Sequence, residues 1–103
     1  MEDAWDIVDG TSASTPVWAG LVSLLNARRL EKNKTSLGFI PPLLYHLAAT
    51  QPAAFGDITS GDNNCTMGHC CTLGYPATPG WDPLTGLGTP RFDVIAEYVA
   101  SLP

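Results

Sequence analysis

The chain has 103 residues, 45% hydrophobic and 15% charged, which sets the scale at one small domain and excludes a disordered tail. Ten acidic residues against five basic ones give a net charge of −5, which argues against nucleic acid as a partner, because such binding needs a clustered basic face. No apolar run approaches the roughly 18 residues of a membrane span, and the opening MEDAWDIVDG has neither the basic start nor the apolar stretch of a signal peptide.

In chain order, Trp5 to Val8 reads as a short strand running into a glycine turn at Gly10. Residues 10 to 16 are GTSASTP. From Ala13 the spacing predicts a helix, since Val17, Leu21, Leu24 and Leu25 recur at three- and four-residue intervals with Trp18 and Val22 alongside. Ser12 then stands at the helix N-terminus, where unpaired N–H groups and the positive end of the dipole favour an oxyanion. Two readings are open. Ser12 is a nucleophile, or Thr11, Ser12 and Ser14 are ordinary N-caps of a core helix. Pro16 fits a first turn, where its missing N–H removes no intrahelical bond.

The helix ends near Leu30 or Lys32 with Arg28, Arg29, Lys32 and Lys34, a basic cluster expected to be solvated and to complement the helix C-terminus. A polar linker, Asn33 to Ser36, leads to Pro41 and Pro42, which start a second helix with Leu43, Leu44 and Leu47 inward and Pro52 stopping it. His46 on this helix has no partner nearby in sequence and reads as a packed or surface histidine. Of ten glycines and nine prolines, eight fall between Gly74 and Pro90, so residues 55–90 read as shaped loop. Pro90 opens a third helix, Arg91 to about Leu102, with Phe92, Ile95, Val99 and Leu102 on one stripe.

The loop region carries FGDITSGDN at 55–63 and PGWDPLTGLGTP at 79–90. Each places an aspartate among glycines, and such turns offer carboxylate and carbonyl oxygens of the kind a hard cation takes. Asp57, Gly61 and Asp62 do not make an EF-hand, because Gly68 stands where its bidentate glutamate belongs. Cys65, His69, Cys70 and Cys71 favour a disulfide over zinc, since the adjacent Cys70 and Cys71 are poorly placed to ligate one tetrahedral ion. A bond from Cys65 to Cys70 or to Cys71 leaves the third cysteine free or joined elsewhere. Sequons at Asn33 and Asn64, together with the cysteines, point to an oxidising compartment and to a segment of a longer secretory protein.

The GTSASTP motif, FGDIT and GWDPLTGLGTP, with LGFIPPLLY at 37–45 between them, resemble the sedolisin or serine-carboxyl peptidase family, tripeptidyl peptidase I type, from Val8 onward. The resemblance implies an α/β fold: the C-terminal third of a subtilisin-like, mostly parallel sheet between helices. Its segments would be 8–32 for the nucleophile turn and helix, 37–52 for the second helix, 55–90 for calcium-binding loops and 91–102 for the last helix. It also implies Ser12 as nucleophile and a Ca2+ site in which Asp57 and Asp82 bind through side chains, with Ile58, Thr78 and Gly80 through carbonyls. The family's glutamate base, second acid and oxyanion aspartate lie upstream of the serine. Glu2, Asp3, Asp6 and Asp9 are too close to Ser12 along an entering strand to replace them. The chain alone is therefore expected to be inactive and to need the upstream peptidase domain. Peptide or protein substrates and an acidic compartment follow, lysosomal, secretory or extracellular, because a carboxyl base accepts a proton at a pH where histidine is already charged. The alternative is a calcium-stabilised, non-catalytic module that binds peptides or a partner.

Overall fold

A computed structural model describes residues 9–103. The strand expected at Trp5 to Val8 lies outside the described residues, as do Glu2, Asp3 and Asp6. Three helices carry the architecture: α1 (Thr11–Glu31), α2 (Pro41–Thr50) and α3 (Phe92–Ser101). Between α2 and α3 lie a 3-10 turn (Pro52–Ala54) and four two-residue strands, β1 (Phe55–Gly56), β2 (Cys65–Thr66), β3 (His69–Cys70) and β4 (Thr89–Pro90). Both strand pairs, β1 with β4 and β2 with β3, are antiparallel. The mostly parallel sheet that the resemblance implies is not among the described residues.

The described residues divide into two compact units, 39–98 and a second made of 9–38 with 99–103. In the larger unit, Pro41 sits in the first turn of α2, where it removes no hydrogen bond. Leu47 is fully buried, while Leu43 and Leu44 are half-buried. Ala54, Phe55, Ala77, Ile95 and Ala96 complete the buried apolar set there. His46 is exposed, and its ring lies 6.0 Å from that of Tyr98 in a tilted pair, a packing role for the histidine.

β1 and β4 close the long loop on itself. Phe55 pairs with Pro90 and Gly56 with Thr89, and the Arg91 N–H donates to the Ala54 carbonyl at 2.8 Å. Gly88 makes this closure possible. Its φ is +87°, and a Cβ there would overlap the Gly56 carbonyl oxygen, so both the left-handed backbone and the close approach demand glycine. The β2–β3 hairpin turns through Met67 and Gly68, both at positive φ (49° and 81°), the conformation of a two-residue type I′ turn. Cys65 faces Cys70 across it, and these two form the disulfide. Of the two pairings left open by the sequence, the hairpin register selects this one, and Cys71 is free and exposed.

In the smaller unit Leu25 and Arg29 are the buried residues of α1, and Val99 is buried with them. Of the basic cluster Arg28 and Lys32 are exposed as expected and Lys34 is half-buried, but Arg29 departs from the solvated face. Arg29 is only 6% exposed; its Nε donates to the Thr35 carbonyl at 2.6 Å, its Nη2 to Pro103 O at 2.8 Å and its Nη1 to the Val99 carbonyl at 3.5 Å. The Lys34 Nζ donates to the carbonyls of Ala100 and Leu102. Arg29 and Lys34 therefore tie the linker at Thr35 to the C-terminal end of α3 and the residues just beyond it, at the negative end of the α3 dipole.

Candidate functional site

Ser12 lies in the first turn of α1. The N-cap is Gly10, with φ +94° and no side-chain cap, so the glycine bends the chain into the helix without help from a hydroxyl. Thr11 and Ser12 are thus the first two helical residues, and the capping reading of these side chains fails. The helix starts two residues before the Ala13 expected from apolar spacing, which moves Pro16 out of the first turn. Pro16 has no N–H to donate to the carbonyl four residues back, that of Ser12. The Ser12 backbone thus lacks its usual helical acceptor role, while its N–H and that of Thr11 have no carbonyl four residues back within the helix.

The Ser12 side chain is exposed. Among the described residues no carboxylate or imidazole hydrogen-bonds its hydroxyl, and Asp9, the one nearby acid described, is itself exposed. What α1 supplies is position: a hydroxyl at the positive end of a 21-residue helix, beside amides available to a developing negative charge.

The second cluster is built on the loop from Thr78 to Asp82. Asp82 is 2% exposed, and its carboxylate is met by donors from both sides. Oδ1 accepts the N–H groups of Leu84 (3.0 Å) and Thr85 (2.7 Å), Oδ2 accepts the Thr78 N–H (3.1 Å), and the Thr85 hydroxyl lies 3.0 Å from each oxygen. The local motif DPLT explains the first two bonds, since an aspartate readily accepts from amides two and three residues on. The Thr85 amide lowers the Asp82 pKa from the usual 3.8; burial works in the opposite direction, and the Thr78 amide, Thr85 hydroxyl and Leu84 amide outweigh it. The donors around Asp82 favour its ionised form.

Asp57 reaches the same loop from 23 residues away, its Oδ2 accepting the Gly80 N–H at 2.7 Å. The two carboxylates that the sequence singled out thus both meet the 78–82 segment, which also carries the Thr78 and Gly80 carbonyls; Ile58 follows Asp57 directly. Every candidate donor is an oxygen, the chemistry a hard cation requires. Among the described residues no three His, Cys, Asp or Glu side chains gather, so any ion here depends on carbonyls as much as on carboxylates. The sequence reading missed the wall beside this loop: Tyr45, Phe55, Asp57, Trp81 and Leu87 line an open cavity of about 420 Å³, which only the fold assembles.

No protein-family model matches the chain. It is 52% identical over 96 residues to physarolisin of Physarum polycephalum, covering 93% of this chain and 17% of that protein. It is 50% identical over 91 residues to tripeptidyl-peptidase 1 of Dictyostelium discoideum, covering 88% of this chain and 15% of that protein. The fold matches Pseudomonas sedolisin, a serine-carboxyl proteinase solved with pseudo-iodotyrostatin, at a TM-score of 0.66 and 29% identity over 84% of this chain and 21% of that one. The chain belongs to the sedolisin family. As a sedolisin segment it spans less than a fifth of the length of these two curated relatives, and both clusters described above fall within so short a stretch.

Proposed function

We propose that this segment carries the nucleophile of an acid-active serine-carboxyl peptidase of the tripeptidyl-peptidase kind, forming the C-terminal part of its catalytic domain. The supporting observation is the placement of the GTSASTP serine, exposed in the first turn of α1 in a chain half identical to physarolisin. Ser12 Oγ attacks the scissile carbonyl and passes its proton to a carboxylate base contributed from upstream; the N–H groups at the start of α1 would be available to the negative charge that develops. Without that base the 103 residues are inert, because a serine nucleophile stripped of its partners loses on the order of a million-fold in turnover, as it does in subtilisin.

Asp57 and Asp82, with the carbonyls of Ile58, Thr78 and Gly80, would hold Ca2+. The ion would neutralise the two carboxylates and tether the 57–58 turn to the 78–82 loop. In Asp82, Oδ1 is held by two amides and Oδ2 by one, so Oδ2 is the oxygen with more room for a cation. The compartment is acidic, lysosomal or secretory, or the exterior, where a carboxyl base can accept the serine proton at a pH at which histidine is already charged.

The test is a chimaera in which this chain replaces the matched segment of the Dictyostelium tripeptidyl-peptidase 1, incubated with peptides below about pH 5, where a carboxyl base still accepts a proton. Release of N-terminal tripeptides is expected. Cleavage in mid-chain alone would overturn the tripeptidyl assignment, and a properly folded chimaera without any peptidase activity would overturn the function.

A further inference from the structure

The sequons at Asn33 and Asn64 lie in unlike surroundings. Asn33 follows the end of α1 with φ +56°. Its N–H donates to the Leu30 carbonyl and that of Lys34 to the Arg29 carbonyl, both at 2.9 Å, the pair of bonds that closes a Schellman motif. Asparagine tolerates this left-handed position, so the turn alone accounts for its choice there. It does not account for Thr35. The fold uses the Thr35 carbonyl, which accepts from Arg29 at 2.6 Å. The Thr35 hydroxyl and the Asn33 side-chain amide make no hydrogen bond among the described residues, and both residues are exposed.

The second sequon is tied into the loop. Asn64 is half-buried. Its N–H donates to the Asp62 carboxylate at 3.1 Å and its carbonyl accepts from the Cys71 N–H at 2.6 Å. A Cβ at Gly74 would come within 2.8 Å of the Asn64 Cβ, so the Gly74 backbone packs directly on this residue. Cys65, the middle residue of the sequon, is bonded to Cys70 over a separation of five residues, and Thr66 pairs with His69 in the same hairpin. So short a loop closes readily. The disulfide therefore competes with any enzyme that must hold the Asn64 sequon as flexible chain, and no such closure involves Asn33.

We propose that Asn33 is an N-glycan acceptor and that Asn64, despite its sequon, is not. The inference rests on the secretory compartment proposed above. The reaction joins the Asn33 side-chain nitrogen to the first carbon of an oligosaccharide carried on a lipid diphosphate. The nitrogen–carbon bond forms, the bond from that carbon to the diphosphate oxygen breaks, the amide gives up one proton, and the lipid diphosphate leaves. A glycan is bulky and polar and needs a surface turn, which the end of α1 supplies. At about 1.5 Å of rise per residue, Asn33 stands about 30 Å along α1 from Ser12, so a glycan there leaves the serine clear.

The experiment uses the tripeptidyl-peptidase 1 chimaera, led into the secretory pathway of eukaryotic cells. Whole-cell and secreted protein is treated with peptide N-glycosidase in heavy-oxygen water, which converts each glycosylated asparagine to a labelled aspartate, and the peptides are read by mass spectrometry. Label is expected at Asn33 in most copies and not at Asn64. Thr35→Ala should abolish the label at Asn33 while keeping the carbonyl that Arg29 uses, and should leave kcat/KM for tripeptide release unchanged; Thr35→Ser should keep the label. Replacing Cys70 and Cys71 together by serine, which leaves Cys65 without a partner in this chain, should bring label to Asn64, and the whole-cell sample includes copies that fail to fold. A bare Asn33, or equal label at both asparagines in the parent, would overturn the inference. Asn64 still bare after loss of both cysteines would overturn the disulfide as the reason for its exclusion. A chimaera glycosylated at Asn33 that releases no peptide would leave the acceptor standing and remove the catalytic reading.

Discussion

Arg29 offers the most quantitative test of how this segment holds together. Replacing it with alanine removes two hydrogen bonds of ordinary length, 2.6 Å to Thr35 and 2.8 Å to Pro103; the third, 3.5 Å to Val99, is too long to count for much. Bonds from a charged donor contribute about 1.5–3 kcal/mol each. Part is recovered, because the guanidinium no longer has to be desolvated and the Thr35 and Pro103 oxygens, being part-buried, regain water. The net loss is about 2–3 kcal/mol. At about 4–8 °C per kcal/mol for a chain near this size, the melting temperature should fall by roughly 10–20 °C. Arg29→Lys should recover less than half, since one ammonium on a flexible stem does not reproduce a planar fork aimed at separate carbonyls. Lys32→Ala, at an exposed neighbour, should change stability by less than about 0.5 kcal/mol. Thermal unfolding by circular dichroism measures all three. An Arg29→Ala chain melting within about 2 °C of the parent, or full rescue by lysine, would refute the reasoning.

Gly88→Ala should cost about 2–4 kcal/mol through positive φ and the clash with Gly56, and clearly more than Gly86→Ala, where φ is +60° but a Cβ meets nothing; denaturant midpoints of the two variants decide it. Asp82 sets a pH dependence of fixed sign. Its folded pKa lies below the usual 3.8, so its contribution is complete above the unfolded value and is lost as pH falls below it and through the folded pKa. The melting temperature of Asp82→Asn should therefore lie below that of the parent at neutral pH, with the gap closing in strong acid, and a constant gap down to about pH 2 would contradict this assignment. Removal of calcium by chelation should lower the melting temperature of the chain but not that of Asp82→Ala, and a chelator without effect on the parent would count against the ion site.

Local signals carried the helices. Pro41 and Pro42, the leucine spacing after them, and the Phe92, Ile95, Val99 stripe sit within single elements, where periodicity and proline chemistry act directly. The start of α1 was set two residues late because apolar spacing begins at Ala13, while the backbone turn is made at Gly10 by positive φ alone. The pairing of Phe55 with Pro90, the Gly56 approach to Gly88 and the reach of Asp57 to Gly80 are non-local, and no spacing in the sequence encodes them. Arg29 shows the same limit. Its neighbours in sequence read as a solvated helix end, but its acceptors include residues 70 and 74 positions away. For the site, the serine turn and both aspartates stood out as candidates in the sequence because glycine and proline bracket them, while their roles came from the family resemblance; the apolar wall formed by Tyr45 and Trp81 did not stand out.

The central claim is that one hydroxyl of GTSASTP is the nucleophile, and kcat/KM for tripeptide release by the tripeptidyl-peptidase 1 chimaera, measured below about pH 5 for Thr11→Ala, Ser12→Ala and Ser14→Ala side by side, tests it most directly. Ser12→Ala is predicted to lose about a million-fold, with Thr11→Ala and Ser14→Ala retaining activity within about tenfold of the parent, a difference of at most ~1.4 kcal/mol. Retention of activity in Ser12→Ala would contradict it.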